Sequence, residues 1–173
     1  MPAVDPLFDE AAIARRVDEL AAEIAATGPG ELVVVGILKG AFLFHADLVR
    51  ALGRHGISPD VDFLRAASYG AGRESSGNVR VGDAPASVRS RRVLLADTIL
   101  DTGRTLAAAK RAMEAAGAAE VRTCVLVDKP GQRDAAVTPD FVGFAAAGDF
   151  LVGYGTDEAE RYRSLPFIGV RRG

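Results

Sequence analysis

Three apolar runs constrain this chain most: Leu32 to Leu38 (LVVVGIL), Arg91 to Asp97 (RRVLLAD) and Val121 to Asp128 (VRTCVLVD). Each is apolar at consecutive rather than alternate positions, which fits strands buried on both faces, as in a parallel sheet. Helical patterns lie between them. Ile13, Val17, Leu20 and Ile24 recur at helical spacing over about residues 9–26, with Gly28, Pro29 and Gly30 behind them. Residues 41–52 read as a second helix closed by Gly53, and residues 105–116 as an alanine-rich third ended by Gly117. Shorter strands are predicted at 61–68, 79–81, 141–144, 150–154 and 167–170, the second as a hairpin partner of the first. Tyr69 and the Gly- and Ser-rich stretch to Asn78 read as a mobile loop. The alternation predicts an α/β fold, a doubly wound, mainly parallel sheet flanked by helices, with ligands outside the carboxyl ends of its strands.

At 173 residues the chain has the length of one domain. Its 21 basic and 23 acidic side chains leave a net charge of −2, which disfavours a protein whose main task is coating nucleic acid. Arg89-Ser-Arg-Arg92 is the one local basic patch, and a solvated turn explains it better than a nucleic-acid surface does. Cys124 is the only cysteine, so no intramolecular disulfide forms; its apolar strand predicts an inert, buried thiol and a reducing compartment. The acidic N-terminus has no signal-peptide pattern and no apolar run nears membrane-spanning length, so a cytoplasmic protein without a membrane partner is expected.

Candidate chemistry belongs at the strand ends. Lys39 is followed by Gly and Ala, not the Lys-Ser/Thr of a P-loop; GAGRES lacks the third glycine of a dinucleotide fingerprint; and neither His45 nor His55 has the company of a catalyst or a zinc ligand. Asp97-Thr-Ile-Leu-Asp-Thr-Gly-Arg-Thr105 differs, combining two carboxylates, three hydroxyls and a glycine between a buried strand and a helix N-terminus. Main-chain N–H groups there, with the hydroxyls of Thr102 and Thr105, suit a phosphate monoester, and Gly103 permits close approach. The alternative is an ordinary turn whose Asp or Thr caps the helix.

VLLADTILDTGRT resembles the phosphoribosyl-diphosphate motif of the type I phosphoribosyltransferases. VVVGILKGAFLFHADL, Ser68-Tyr-Gly70, VLVDKP at 125–130 and FLVGYGTDEAERYRSLPFIGV at 150–170 resemble, in order and spacing, the bacterial hypoxanthine-guanine enzymes of that family. The resemblance runs from about Leu7 to Val170. It implies a single domain over 1–173 with a small hood from the N- and C-terminal segments, and transfer of a 5-phosphoribosyl group from phosphoribosyl diphosphate to N9 of hypoxanthine or guanine, for purine salvage. It assigns Asp101 to the proton on purine N7, and Asp97 and Thr98 to the ribose hydroxyls. The main chain of Thr102, Gly103, Arg104 and Thr105 falls to the 5-phosphate, and Lys39, Gly40 and Arg163 to pyrophosphate. Lys129 falls to the purine O6, Phe150 to stacking on the base, the Leu151 main chain to its edge, and Ser68 and Tyr69 to a closing loop. Mg²⁺ is implied, on Asp157 and Asp97, as is a homodimer or homotetramer. On the residues alone, Phe150 reads as core, Lys39 as a surface lysine and Asp101 as a cap.

The chain departs from the family pattern at two places. Asp97-Thr98 stands where relatives carry Glu-Asp, which implies weaker binding of phosphoribosyl diphosphate, relieved by Thr98→Asp. Ala145 to Asp149 (AAAGD) replaces bulkier residues at the rim of the base pocket. Two rivals remain: a nucleotide- or RNA-binding regulator on the same fold, and a transferase preferring xanthine or a pyrimidine.

Overall fold

In the computed structural model the residues described are 4–28, 30–68 and 79–171, so the loop expected between Tyr69 and Asn78 lies outside them. The elements run β1 (Val4–Phe8), α1 (Glu10–Ala25), β2 (Leu32–Leu38), α2 (Phe42–Arg54), β3 (Asp60–Ser68), β4 (Val79–Val81), β5 (Arg92–Leu100), α3 (Arg104–Ala115), β6 (Glu120–Asp128), β7 (Phe141–Ala145), β8 (Leu151–Val152) and β9 (Ile168–Arg171). The main sheet has the order β4-β3-β2-β5-β6-β7 and is parallel except for β4, which returns antiparallel on β3. The sequence-predicted strands are all present.

Alternation along each strand divides the core between two faces. Val34, Leu94, Ala96, Cys124 and Leu126 pack beneath α1 and α2, whereas Val33, Val35, Val93, Leu95 and Val125 pack beneath α3 with Leu106, Ala109 and Met113. That two-sided burial explains why the central strands carry apolar residues without a break. Burial also raises the Cys124 thiol pKa, which leaves the thiol protonated and unreactive.

The strand expected over 150–154 shortens to Leu151–Val152, two further boundaries differ from the sequence reading, and one strand is new. β5 continues to Leu100 instead of turning after Asp97, because Ile99 and Leu100 go on pairing with Val127 and Asp128 of β6. Two polar residues had hidden that extension. Gly53 lies inside α2 rather than closing it, and His55 is the C-cap. β1 is an unforeseen strand; it contains Pro6 and pairs only with β9, at the far end of the chain. β1, β9 and β8 form a second, three-stranded antiparallel sheet that draws residues 150–171 beside the carboxyl ends of the main strands. No helix is long and apolar enough to cross a membrane.

Both histidines are structural. His55 pairs with Asp18 at the surface, and buried His45 donates from Nε2 to the Val34 carbonyl at 3.1 Å. Burial lowers the His45 pKa, a pull that the Val34 bond only partly offsets. The folded chain therefore binds fewer protons than the unfolded chain below the ordinary histidine value of about 6.5, and stability is lost as pH falls through it. Wild type is expected to lose more stability than His45→Gln between pH 7.5 and 5.5, measured by urea midpoints. Parallel losses would contradict a buried neutral imidazole.

Candidate active site

The carboxyl ends of β2, β5 and β6 open into a cleft of about 630 Å³ whose lining includes Lys39, Asp97, Asp101, Lys129, Phe150 and Arg163. Register explains the meeting of residues distant in sequence. Leu100 lies opposite Asp128 across the β5–β6 pair, so the next residues, Asp101 and Lys129, emerge side by side. Lys129 Nζ donates to Asp101 Oδ2 at 2.9 Å, and the lysine is 5% exposed. A buried ammonium needs such a partner. The other carboxylate oxygen, Asp101 Oδ1, is buried and has no hydrogen-bond partner, which is uncommon in a native fold.

Asp101 does not cap α3. Gly103 is the N-cap, at φ 83°, and no side chain completes the cap. A Cβ at Gly103 would fall 2.7 Å from Val137 Cγ1 and 2.8 Å from Arg133 Cδ, so the turn needs glycine for space as well as for its left-handed backbone. The first N–H groups of α3 thus face outward beside Thr105, which lines the cleft. Thr102 contributes its hydroxyl to the Arg104 N–H at 3.4 Å and its carbonyl to the N–H groups of Asp134 and Ala135, both at 3.1 Å. The Arg104 side chain turns away from the cleft and pairs with Asp134.

Thr98 is also turned away. Strand alternation points Asp97 and Ile99 to the cleft and buries Thr98 completely, where its hydroxyl donates to the Gly40 carbonyl at 3.1 Å. Gly40 follows a cis Leu38–Lys39 peptide. Its carbonyl also lies against Gly155, where a Cβ would come within 2.4 Å, so the β2 turn is held between β5 and the 153–163 segment. Asp97 accepts the Thr98 N–H at 2.8 Å; burial outweighs that bond and pushes its carboxyl up to about 7. No basic side chain pairs with it among the described residues.

Across the cleft, Arg163 donates to the Gly155 carbonyl at 2.7 Å and pairs with Asp157 at 2.8 Å and Glu160 at 3.2 Å. Glu160 also pairs with Lys39 at 3.0 Å, and these two cations hold its carboxyl below the usual range. Glu160 was not singled out in the sequence; its position comes from the left-handed turn at Ala159 and Glu160. Phe150 is exposed at the cleft rim, not in the core, and Leu151 of β8 lines the cleft beside it. Ser68 ends β3, and Tyr69 lies outside the described residues.

A groove of about 530 Å³ between α1, α2 and residues 164–166 is the main competitor, but its Asp47 is already taken by Arg50 and the Tyr154 hydroxyl. The strand-end cleft instead combines an exposed aromatic, cations and carboxylates.

Residues 3–159 match the phosphoribosyl transferase domain, and the chain belongs to that family. Its similarity extends further in particular relatives. A hypoxanthine-guanine phosphoribosyltransferase of Aquifex aeolicus is 44% identical over 165 residues, covering 94% of this chain and 91% of the relative. The hypoxanthine phosphoribosyltransferase of Escherichia coli K12 is 36% identical over 170 residues, covering 96% and 94%. A solved structure of Trypanosoma cruzi hypoxanthine phosphoribosyltransferase superposes with a TM-score of 0.90 at 35% identity, covering 99% of this chain and 93% of that one.

Gly103→Ala is expected to destabilise the fold by about 1–3 kcal/mol, since both strain and overpacking oppose the methyl group. Thermal unfolding reads this as a Tm several degrees lower. An unchanged Tm would show that the turn yields to the extra carbon.

Proposed function

We propose that the chain transfers a 5-phosphoribosyl group from phosphoribosyl diphosphate to N9 of a 6-oxopurine, hypoxanthine or guanine, releasing pyrophosphate. The observation that carries this is the Lys129–Asp101 ion pair in the cleft lining, with the exposed Phe150 in the same lining. An ammonium has three donors and no acceptor. Lys129 can therefore keep Asp101 Oδ2 and offer a second proton to a purine O6, and it has nothing for the amino group of adenine. The half-exposed Asp101 carboxylate then faces the ring N–H and accepts its proton as N9 bonds to the sugar carbon and the carbon–pyrophosphate bond breaks. Phe150 supplies a face on which the base can stack.

The outward N–H groups at the start of α3, with Thr105, suit the 5-phosphate. Lys39 and Arg163 supply positive charge on the pyrophosphate side, where leaving-group charge develops. Asp97 and Asp157 fit a Mg²⁺ ion, which takes one or two carboxylates and completes its shell with water and substrate oxygens. The setting that raises the Asp97 pKa, with no basic side chain paired to it among the described residues, is one a divalent ion would relieve. When bound, Mg²⁺ would neutralise diphosphate charge.

The RNA-binding alternative loses its surface. Arg91 of the RSRR run bridges Glu31 and Asp60, and Arg92 holds Glu120 and Thr27.

The deciding assay is pyrophosphate release with Mg²⁺, phosphoribosyl diphosphate and, in turn, hypoxanthine, guanine, xanthine, adenine and uracil. Release with hypoxanthine or guanine, and little with adenine, is expected; release with none, or with adenine equally, would contradict the proposal. Lys129→Met is expected to lower kcat/KM for the 6-oxopurine by roughly 10–100-fold, the worth of a hydrogen bond from a charged group. Thr98→Asp, expected from the resemblance to tighten binding, is now expected to destabilise the protein, because the new carboxylate would replace a fully buried hydroxyl. A lower KM for phosphoribosyl diphosphate with undiminished Tm would instead restore Thr98 to the cleft.

A further inference from the structure

The segment after β6 grips the β5–α3 turn at several points. The Lys129 N–H donates to the Leu100 carbonyl at 2.8 Å, Lys129 Nζ to the Asp101 carboxylate at 2.9 Å, and the Asp134 and Ala135 N–H groups to the Thr102 carbonyl at 3.1 Å. Arg133 joins these contacts. Its Nε donates to the Asp101 main-chain carbonyl at 3.0 Å, its Nη1 to the Val137 carbonyl at 3.0 Å, and its Nη2 pairs with Asp128 at the end of β6. The guanidinium side chain is 18% exposed, and its Cδ occupies the space that a Cβ on Gly103 would need.

We propose that Arg133 is a positioning residue for the transfer reaction: it fixes the main chain at Asp101 so that the Asp101 carboxylate and the phosphate-facing turn 102–105 are held as one unit. The proposal rests on the assignment of the cleft to phosphoribosyl diphosphate and a purine. Three acceptors in three directions match a planar fork and not a point charge. The Asp128 carboxylate roots that fork in β6, so the turn takes its position from the sheet. Arg133 does not line the cleft and acts through Asp101. In phosphoribosyl transfer the proton acceptor and the phosphate cradle must keep a fixed separation, because they hold opposite ends of the two reactants; small misplacements at such a site are costly.

The test pairs amide hydrogen exchange with kinetics on the full-length chain, comparing wild type with Arg133→Gln, Arg133→Lys and Asp128→Asn. In Arg133→Gln, exchange is expected to quicken by about tenfold or more at Ala107, Lys129, Asp134 and Ala135, whose amides donate to the turn, and to stay unchanged in β2 and β5. KM for phosphoribosyl diphosphate should rise and kcat fall, each by about tenfold or more. Arg133→Lys keeps the charge without the fork and should recover neither. Asp128→Asn should give the same pattern more weakly, and it decides the matter if Arg133→Gln does not fold. Uniform acceleration across the sheet, no local acceleration, unaltered kinetics beside local acceleration, or full rescue by lysine would each overturn the proposal. If wild type turned over none of the purines, the functional assignment would fall, and with it Arg133's role in transfer; the exchange data would still decide whether the clamp exists.

Discussion

The buried ammonium of Lys129 organises this molecule's working end. A charge at that depth is tolerable only beside an opposite one, and Asp101 is where the sheet register delivers it, one residue beyond the paired Leu100 and Asp128. The pair fixes one oxygen of Asp101 and leaves the other unpartnered. In the proposed reaction the pair sets the carboxylate against a ring N–H instead of a helix cap and puts the O6-reading donor beside the proton acceptor.

Around that pair, each strand end contributes one kind of chemistry. β2 supplies Lys39 and the Gly40 turn, β5 supplies Asp97 and the N-terminus of α3, β6 supplies Lys129, and the small sheet brings Phe150, Asp157 and Arg163 across the opening. Net charge was a poor guide to such a ligand. A chain of net charge −2 can bind a compact polyanion when N–H groups and a few cations converge, and the same balance argues against a broad basic surface.

The central strands and the Asp97–Thr105 motif were legible because both are local: β-branched runs reveal a two-sided strand, and acids, hydroxyls and glycine cluster within nine positions. What escaped notice depends on register and return. β5 extends past polar Asp97 and Thr98 because β6 continues to pair with it, and the same alternation buries Thr98 against Gly40. β1 could not be seen without its partner at the other end of the chain. Arg133 reads as one more surface arginine until residues 129–137 fold back onto the turn, and the exposure of Phe150 depends on where the small sheet is set.

The geometry of base recognition is tested most directly by a crystal structure with Mg²⁺, a non-reactive analogue of phosphoribosyl diphosphate and hypoxanthine. The purine O6 should lie within hydrogen-bond distance of Lys129 Nζ, with a ring N–H on the Asp101 carboxylate and the ring against Phe150. A purine bound away from Lys129 and Asp101 would contradict it.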